Sequence, residues 1–474
     1  MRAVSLVIGV PKETAPGERR VAMVPRAFAP LQKSGAELLV EPGAGAASGY
    51  PDAEYVERGA RLAAGRDELF AAADVLLFVR VPGTWQDAAG SDTAADPDLG
   101  RLRAGQTVIG FADPLSLPAA SRELAARGVT AFAMELMPRI TRAQGMDALS
   151  SMATLAGYKA VLLAAETLPR LFPMLMTAAG TVTPARVLVI GAGVAGLFAA
   201  ATARRLGAVV SAYDVRPAAR EQVESVGAKF VSLPLETSGS EDRGGYAREM
   251  DAEFYRRQRE LMAGAVKEHD VVITTAAVPG KRAPVLVTGE MVAAMAPGSV
   301  IVDIAAERGG NCELTKAGET VIEHQVTILG PLNLAATVPY HGSQLYARNV
   351  ANFLAHLLRD ARPAAPAATA APTSPAAPTS TPSAPSPAPP AAAPAPALAL
   401  DTADEITRET LVTRGGEVVH ERVRQLLGLP PLPAVTAAGD RPPTAPQQPL
   451  PTPPSPTAGP GGAAAAPAPA SPTA

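Results

Sequence analysis

The feature that most constrains the fold is a glycine-rich turn between an apolar run and an alanine-rich segment. Residues 187–190 predict a buried strand, and the sequence Gly191-Ala-Gly193-Val-Ala-Gly196 follows it at the start of a predicted helix. In such a motif the first glycine permits a tight turn, the second lets the backbone approach a pyrophosphate, and the third lets helix and strand pack closely. The pattern predicts a dinucleotide site whose first residues are Gly191, Gly193, Val194, Ala195 and Gly196.

An ordinary glycine-rich turn is the alternative, and an acidic residue argues against it. The next predicted strand, residues 209–213, ends at Asp214, where such sites carry a carboxylate for the ribose diol. A carboxylate would repel a 2′-phosphate, so the sequence predicts NAD rather than NADP. Val215 and Arg216 extend the site. The Arg216 guanidinium either neutralises a phosphate, lies over the adenine or faces solvent.

A later strand-like run supplies a further part of the predicted site. The residues that follow Asp270 are apolar and end in small side chains, among them Ala276 and Ala277. Nucleotides approach the carboxyl edge of a parallel sheet. We therefore expect Ala276 and Ala277 beside the cofactor, although a plain strand-end turn fits the same residues.

Residues 1 to about 360 alternate short Val/Ile/Leu/Ala runs with helical patterns. This βαβ pattern predicts an α/β fold of two Rossmann-like domains, in which helices flank parallel sheets and a cleft separates the domains. Residues 1–150 are expected to form an N-terminal α/β domain, completed by residues of about 335–360. Residues 151–334 are expected to form the NAD-binding Rossmann domain.

The composition changes after about residue 360. Residues 361–397 and 430–474 are rich in proline and alanine, and they lack the apolar side chains that offset ordering entropy, so a linker and a disordered tail are predicted. An island at 398–429 holds residues that can be buried, and Thr413-Arg-Gly-Gly-Glu417 predicts a hairpin turn within it. The sequence leaves open whether this island docks on the core.

Charge and cysteine content exclude several classes of function. A formal net charge of −3 gives no electrostatic reason to expect a nucleic acid partner. Cys312 is the single cysteine, so neither an internal disulfide nor a multi-thiolate metal site can form, which fits a reducing cytoplasm. The apolar stretch at 153–182 contains Lys159, Glu166 and Arg170, so no membrane span is expected.

Further segments accompany the glycine turn. They are Ile8-Gly-Val-Pro-Lys12-Glu13, Arg19-Arg20-Val21-Ala22, Glu135-Leu136, Pro279-Gly-Lys281-Arg-Ala-Pro284 and Gly298-Ser-Val-Ile-Val-Asp303. Together with the glycine turn they resemble the alanine dehydrogenase and NAD(P) transhydrogenase family over residues 5–358. The resemblance implies the two-domain fold described above.

Two branches of this family compete. Alanine dehydrogenases use a histidine after a strand of the first domain to exchange a proton, and the corresponding run here, residues 107–114, has none. All the histidines lie in the second half of the chain: His269, His324, His341, His356 and His420. Hydride transfer between two nicotinamide rings needs no such base. The absence favours transhydrogenation, with Lys12 or Asp113 as alternative acid–base groups.

Residues 134–151 resemble a loop of the transhydrogenase branch at the nicotinamide end of the cofactor. The resemblance implies that Arg139 and Gln144 hold the polar face of the cofactor, while Asp147 and Ser150 order the arginine and the carboxamide. By themselves these residues would be interpreted as a polar helix start, with Asp147 as a capping or surface charge.

A second likeness to transhydrogenases lies at Gly244-Gly245-Tyr246. Adjacent glycines permit a wide range of backbone conformations, so Gly245 and Tyr246 are predicted to belong to a mobile loop that closes over the nucleotide. An exposed insertion whose tyrosine packs locally is the alternative. The island around Thr413 also resembles the C-terminal hairpin of this domain in the family.

The resemblance implies the NAD(H)-binding component of a proton-translocating transhydrogenase. NADH would pass hydride to NADP+ bound on a partner subunit, and separate membrane-spanning subunits would move the proton. A homodimer at the cytoplasmic face of the membrane is also implied. An NAD-dependent alanine dehydrogenase and a non-catalytic NAD sensor are the alternatives.

Overall fold

The computed structural model describes residues 6–85, 96–235, 250–277, 280–359, 398 and 400–432. Strands and helices alternate along most of them. The strands are β1 (Val7–Val10), β2 (Glu37–Val40), β3 (Arg61–Leu62), β4 (Val75–Arg80), β5 (Thr107–Phe111), β6 (Thr130–Ala133), β7 (Leu175–Thr177), β8 (Gly180–Val182), β9 (Arg186–Ile190), β10 (Val209–Tyr213), β11 (Lys229–Phe230), β12 (Val271–Thr274), β13 (Val300–Asp303), β14 (Thr320–Glu323), β15 (Val326–Leu329), β16 (Leu411–Arg414) and β17 (Glu417–Val418). The helices are α1 (Ala29–Gln32), α2 (Asp52–Glu57), α3 (Arg66–Ala72), α4 (Pro97–Arg101), α5 (Pro118–Ala126), α6 (Ala148–Thr167), α7 (Val194–Arg205), α8 (Ala219–Ser225), α9 (Ala252–Lys267), α10 (Gly289–Ala293), α11 (Pro339–Arg359), α12 (Glu405–Thr410) and α13 (Glu421–Leu426).

The first sheet is built mainly from the N-terminal half of the chain. Its order is β17-β16-β6-β5-β4-β1-β2-β3. The pairs among β1 to β6 are parallel, whereas β16 runs antiparallel to β6 and β17 antiparallel to β16. In β4 the run Val-Leu-Leu-Phe-Val is buried throughout, which is typical of a parallel strand covered on both faces.

The second sheet has the order β11-β10-β9-β12-β13-β15-β14. It is parallel except for β14, which runs antiparallel to β15. The chain leaves β9 to form β10 on one side and returns to form β12 on the other, so the strand order reverses beside β9. Ligands bind at such a point, outside the carboxyl ends of the strands. The two sheets confirm the predicted α/β class.

Helix α6 connects the two sheets and packs closely against α7. A Cβ atom on Gly157 would lie 2.1 Å from the carbonyl oxygen of Ala195, so only glycine permits this approach. Helix α6 is long and apolar enough to cross a membrane, but a buried core helix meets the same two criteria. Ala160, Val161 and Ala164 are completely buried in the core of the second sheet. These contacts are those of a core helix.

The C-terminal island docks on the first sheet. Strand β16 pairs with the edge of β6, and the Thr413 hydroxyl donates a hydrogen bond to the carbonyl of Val129 at 2.7 Å. Ile406 and Leu411 join the core of the first sheet. The glycines at 415 and 416 adopt φ angles of 60° and 85° in the turn between β16 and β17, which confirms the predicted hairpin. The question that the sequence leaves open is therefore answered for residues 400–432.

Candidate dinucleotide site

A cleft of about 760 Å³ lies between the carboxyl edges of the two sheets. The second sheet contributes the glycine turn after β9 and the residues after β10 and β12. The first sheet contributes the segment after β6 and the start of α6. Predicted site residues that line the cleft are Arg139, Ser150, Gly191, Gly193, Val194, Ala195, Asp214, Val215, Arg216, Ala276 and Ala277. The cleft thus brings together residues as distant in the sequence as Arg139 and Ala277.

The three motif glycines have three different environments. Gly191 has a φ of 100°, and its N–H donates to the carbonyl of Tyr213. A Cβ atom on Gly196 would lie 1.7 Å from the carbonyl oxygen of Gly191, so this residue sets the contact between α7 and β9. Around Gly193 an added Cβ would meet nothing within 4 Å. The first N–H groups of a helix have no partner within it, so they and the helix dipole favour an anion in this open space at the start of α7.

Asp214 is buried at the end of β10, and its carboxylate is already hydrogen-bonded. The amide of Ala192 donates to it at 2.7 Å, which ties the glycine turn to the next strand. The backbone N–H, Nε and Nη2 of Arg216 donate at 2.8, 2.8 and 2.9 Å. The Arg216 guanidinium therefore binds this neighbouring carboxylate with two nitrogens, and its side chain is largely shielded from solvent. A ribose diol would share Asp214 with this guanidinium.

Tyr213 and Gln258 are cleft residues that the sequence did not indicate. Both are buried, and the Gln258 amide nitrogen donates to the Tyr213 hydroxyl at 2.9 Å. Burial raises the pKa of Tyr213 to about 12, so the phenol stays protonated and keeps a hydrogen to donate. The Gln258 amide oxygen is buried without a partner among the described residues. The sequence could have indicated Tyr213, because it directly precedes Asp214, the predicted ribose acceptor. Gln258 lies among charged residues of α9, and no sequence feature distinguishes it.

Ala276 is held in place by a buried polar network behind the cleft. Asn311 accepts from the Ala276 N–H at 2.9 Å and donates to its carbonyl at 2.8 Å. The Asp303 carboxylate in turn accepts hydrogen bonds from the amides of Asn311 and Cys312. The predicted position of Ala276 at the sheet edge is thus fixed by side chains from the segment that follows β13.

The predicted nicotinamide loop divides into two groups. Arg139 and Ser150 line the cleft. Asp147 does not, because its carboxylate caps α6 by accepting from the Ser150 amide at 2.9 Å and the Ser150 hydroxyl at 2.5 Å. Gln144 is exposed outside the cavity. For Asp147 the structure agrees with the interpretation as a helix cap that the residues alone suggested.

Asp113 follows β5, in the run of residues 107–114 that lacks a histidine. Its φ of 41° turns the chain into the cleft. The Arg308 guanidinium, from the second sheet, donates to the Asp113 carboxylate at 3.0 Å and also to the Ser116 hydroxyl. This contact joins the two sheets across the cleft and engages the carboxylate that could have served as a base. Lys12, the other alternative, does not line the cavity.

Glu135 is a buried carboxyl group in the wall of the cleft. One of its oxygens accepts from the amides of Ala112 and Asp113 at the end of β5. Burial raises the pKa of Glu135 to about 7, since the carboxylate loses water and the Asp113 charge lies close. Glu13 accepts from the amides of Val79 and Arg80 at the end of β4, and burial raises its pKa to about 8.

These two carboxyl groups each contribute a loss of stability as the pH rises from about 5 to 8, which the lowered pKa values of the buried His269 and His420 oppose below about pH 6.5. In that interval the folded chain retains protons that the unfolded chain has released, so each group lowers the free energy of unfolding, by up to about 1.4 kcal/mol per pH unit. Urea unfolding at about pH 5, 6.5 and 8 measures this slope. The neutral variants Glu13→Gln and Glu135→Gln should flatten it. A slope that is unchanged in both variants would contradict the assignment.

The C-terminal island also reaches the cleft. Glu405, Glu409, His420 and Arg422 line the same cavity as Arg139 and the glycine turn. His420 is therefore a histidine at the cleft. The sequence comparison did not predict it, because the histidine of alanine dehydrogenases lies in the first domain. Burial lowers the pKa of His420, and its Nδ1 atom is enclosed by protein. The predicted lid residues Gly245 and Tyr246 lie outside the described residues.

Known proteins share this architecture and sequence. The family model described as alanine dehydrogenase/PNT, N-terminal domain, matches residues 9–156, and the model for the C-terminal domain of the same family matches residues 160–371. An NAD(P) transhydrogenase subunit alpha of Rhodospirillum rubrum, the first of the chains into which that subunit is divided, is 42% identical over 415 residues, which cover 87% of this chain and 97% of that one.

Two further relatives place the chain within the family. The alanine dehydrogenase of Mycobacterium tuberculosis is 34% identical over 346 residues, covering 70% of this chain and 82% of that one. The crystal structure of transhydrogenase from Sinorhizobium meliloti is 42% identical, with a TM-score of 0.70, and the match covers 87% of this chain and 100% of that one. The chain therefore belongs to the alanine dehydrogenase and NAD(P) transhydrogenase family, as an oxidoreductase related to the transhydrogenase alpha subunits.

Proposed function

We propose that this chain binds NAD(H) and exchanges hydride directly with NADP(H) held by a partner subunit. The observation that carries the proposal is the cleft itself. It combines an open anion site at Gly193 and a ribose acceptor at Asp214 with Arg139 and Ser150 on the opposite wall. A single hydride moves between two nicotinamide rings in such a reaction, so the protein has to bind, orient and exclude water.

Each region of the cleft has a proposed role. The amides at the start of α7 bind the pyrophosphate, and Asp214 accepts from the ribose hydroxyls. Tyr213 and Gln258 lie beside Asp214 and are suited to the adenine side. Arg139 and Ser150 face the nicotinamide side, with Ala276 and Ala277 across from them. Asp147 holds Ser150 in place, and Gln144 remains a proposed contact that needs the loop to move.

The partners are also proposals. The relatives named as transhydrogenase alpha subunits support a protein of several chains. We propose that separate subunits bind NADP(H) and conduct the coupled proton through the membrane, and that this chain acts as a homodimer at the cytoplasmic face. The two sheets support a division into an N-terminal α/β domain and an NAD-binding Rossmann domain at the boundaries predicted above.

Hydride transfer from NADH to an absorbance-shifted NADP+ analogue tests this function. The purified chain is expected to transfer hydride only when the NADP-binding subunit of a transhydrogenase is added. Arg139→Ala should lower the rate by about tenfold or more, because a charge-assisted hydrogen bond is worth roughly 1.5–3 kcal/mol. Arg170→Ala, at an exposed pair with Asp270 away from the cleft, is the matched control.

An NAD-dependent alanine dehydrogenase is the second candidate. His420 favours it in one respect, since a histidine lines the cleft. Against it, the Asp113 carboxylate, the alternative acid–base group after β5, is engaged by the Arg308 guanidinium. Reduction of NAD+ by alanine with the purified chain alone would overturn the transhydrogenase proposal. NADH binding with no transfer to either acceptor would favour a sensor instead.

A further inference from the structure

The C-terminal island, residues 400–432, is attached to the loop that carries the proposed nicotinamide contacts. Asp404 contributes to this connection. The Asp404 carboxylate caps α12 by accepting from the amides of Ile406 and Thr407. The same carboxylate contacts Arg142 at 2.5 Å and His356 Nε2 at 3.1 Å. Arg142 belongs to the short helical turn Thr141–Met146, which also contains Gln144.

The turn Thr141–Met146 is held from a second direction as well. The carbonyl of Gly145 accepts from the side-chain amides of Asn349 and Asn352 on α11, at 3.0 and 2.9 Å. His356 lies one turn further along that helix and is buried. Helix α11 and Asp404 therefore contact the turn from two directions, and Asp404 belongs to the C-terminal island.

The charge on Asp404 is maintained in this position. Burial works against ionisation, but the hydrogen bonds from Thr407 and Arg142 outweigh it and lower the pKa of Asp404. Removing the charge would deprive Arg142 of this ion pair. Arg139, which lines the cleft, lies two residues before the turn, so a displacement of the turn would also displace Arg139.

The island also forms a section of that wall directly. Glu405 and Glu409 from α12 and Arg422 from α13 line the same cavity as Arg139. Docking of the island depends on β16 pairing with β6 and on burial of Ile406 and Leu411. A ligand that fills the cavity contacts a wall that exists only while the island is docked. Binding and docking must then favour each other to the same extent.

We propose that the C-terminal island completes the nucleotide site, and that Asp404 is a positioning residue that sets the turn Thr141–Met146 through Arg142. The inference rests on the proposed binding of NAD(H) but not on hydride transfer or on any partner subunit. It assigns a role to a segment that the proline- and alanine-rich residues 361–397 separate from the rest of the chain.

Asp404→Asn is the informative variant, because asparagine caps a helix as well as aspartate does. The helix cap is retained while the charge that Arg142 and His356 contact is lost. The dissociation constant of NADH, measured by fluorescence on the full chain, is expected to rise about tenfold. Asp401→Asn is the matched control: it removes the same charge from an exposed residue whose carboxylate accepts from the amide of Ala403, and it should leave the constant within about twofold.

A double-mutant cycle identifies the path of the effect. Arg142→Gln should raise the dissociation constant to a similar extent, and the double variant should be no weaker than either single variant, because both remove one contact. Additive losses would mean that Asp404 acts elsewhere than through Arg142, and would overturn its assigned role.

Amide hydrogen exchange on the wild-type chain gives a second, independent readout. Saturating NADH should slow exchange in β16 and α12 at least several-fold, because bound nucleotide favours the docked island. Unchanged NADH affinity in Asp404→Asn, or unchanged exchange in the island, would overturn the inference while leaving the proposed function intact. NADH binding without transfer to the NADP+ analogue would overturn hydride transfer while leaving this inference intact.

Discussion

Replacing Gly193 with alanine is expected to leave the fold intact and to weaken NADH binding about a hundredfold, or about 2.7 kcal/mol. The backbone of Gly193 has a φ of −73°, which alanine adopts without strain, and the added methyl group would meet no protein atom within 4 Å. The methyl group would occupy the space where a pyrophosphate approaches the start of α7. Thermal unfolding and NADH fluorescence titration of the same preparation measure the two effects separately.

Gly196→Ala is the control for this experiment, because its methyl group meets protein instead of ligand. It would lie 1.7 Å from the carbonyl oxygen of Gly191, so α7 must move away from β9. We expect a loss of about 3 kcal/mol or more in the free energy of unfolding. Equal NADH affinity in Gly193→Ala and the wild-type chain would show that no pyrophosphate binds at this turn.

Asp303→Ala is expected to lower the free energy of unfolding by about 4 kcal/mol, the largest loss of stability that we predict for a single side chain. The carboxylate is completely buried and accepts from two hydroxyls, Thr274 and Thr315, and from three amides, Ala305, Asn311 and Cys312. Alanine would leave these donors in the core without an acceptor. Chemical denaturation followed by circular dichroism measures the loss.

Asp251→Ala provides the matched comparison. Asp251 is an exposed cap of α9 with one hydrogen bond to the Phe254 amide, so its removal should cost only about 1 kcal/mol. Asp303→Ala should also weaken NADH binding, because Asn311 fixes Ala276 at the edge of the cleft. A loss no greater than that of Asp251→Ala would mean that water replaces the missing acceptor.

The glycine turn was predictable because its constraints are local. Gly191 needs a positive φ, and Gly196 needs a close approach between a strand and the helix that directly follows it. Both requirements concern residues within one strand–turn–helix unit, so the sequence displays them without knowledge of the rest of the fold. The hairpin at 411–418 was predictable for the same reason, since two glycines with positive φ close it.

The side-chain partners of the site were less predictable. From the sequence, Arg216 could neutralise a phosphate, lie over the adenine or face solvent. In the structure it forms an ion pair with Asp214. For Asp147 and Gln144 the sequence predicted a place at the nicotinamide end; in the structure Asp147 caps α6 and Gln144 is exposed. A polar or charged side chain can find hydrogen-bond partners in several arrangements of similar free energy, and residues distant in the sequence determine which arrangement forms.

By itself the sequence determined the α/β class, the mainly parallel sheets and the location of the glycine turn. Periodic burial and backbone conformation determine these features, and both depend on short stretches of residues that are contiguous in the sequence. Only the tertiary structure determined the long-range pairs around the cleft. Arg308 pairs with Asp113 in its wall, and Asp404 pairs with Arg142 of the turn Thr141–Met146. These pairs join residues that are far apart in the sequence. Strand β16 pairs with the edge of β6 because that edge offers unpaired backbone groups and an apolar surface. An edge of this kind exists only after the first sheet has formed.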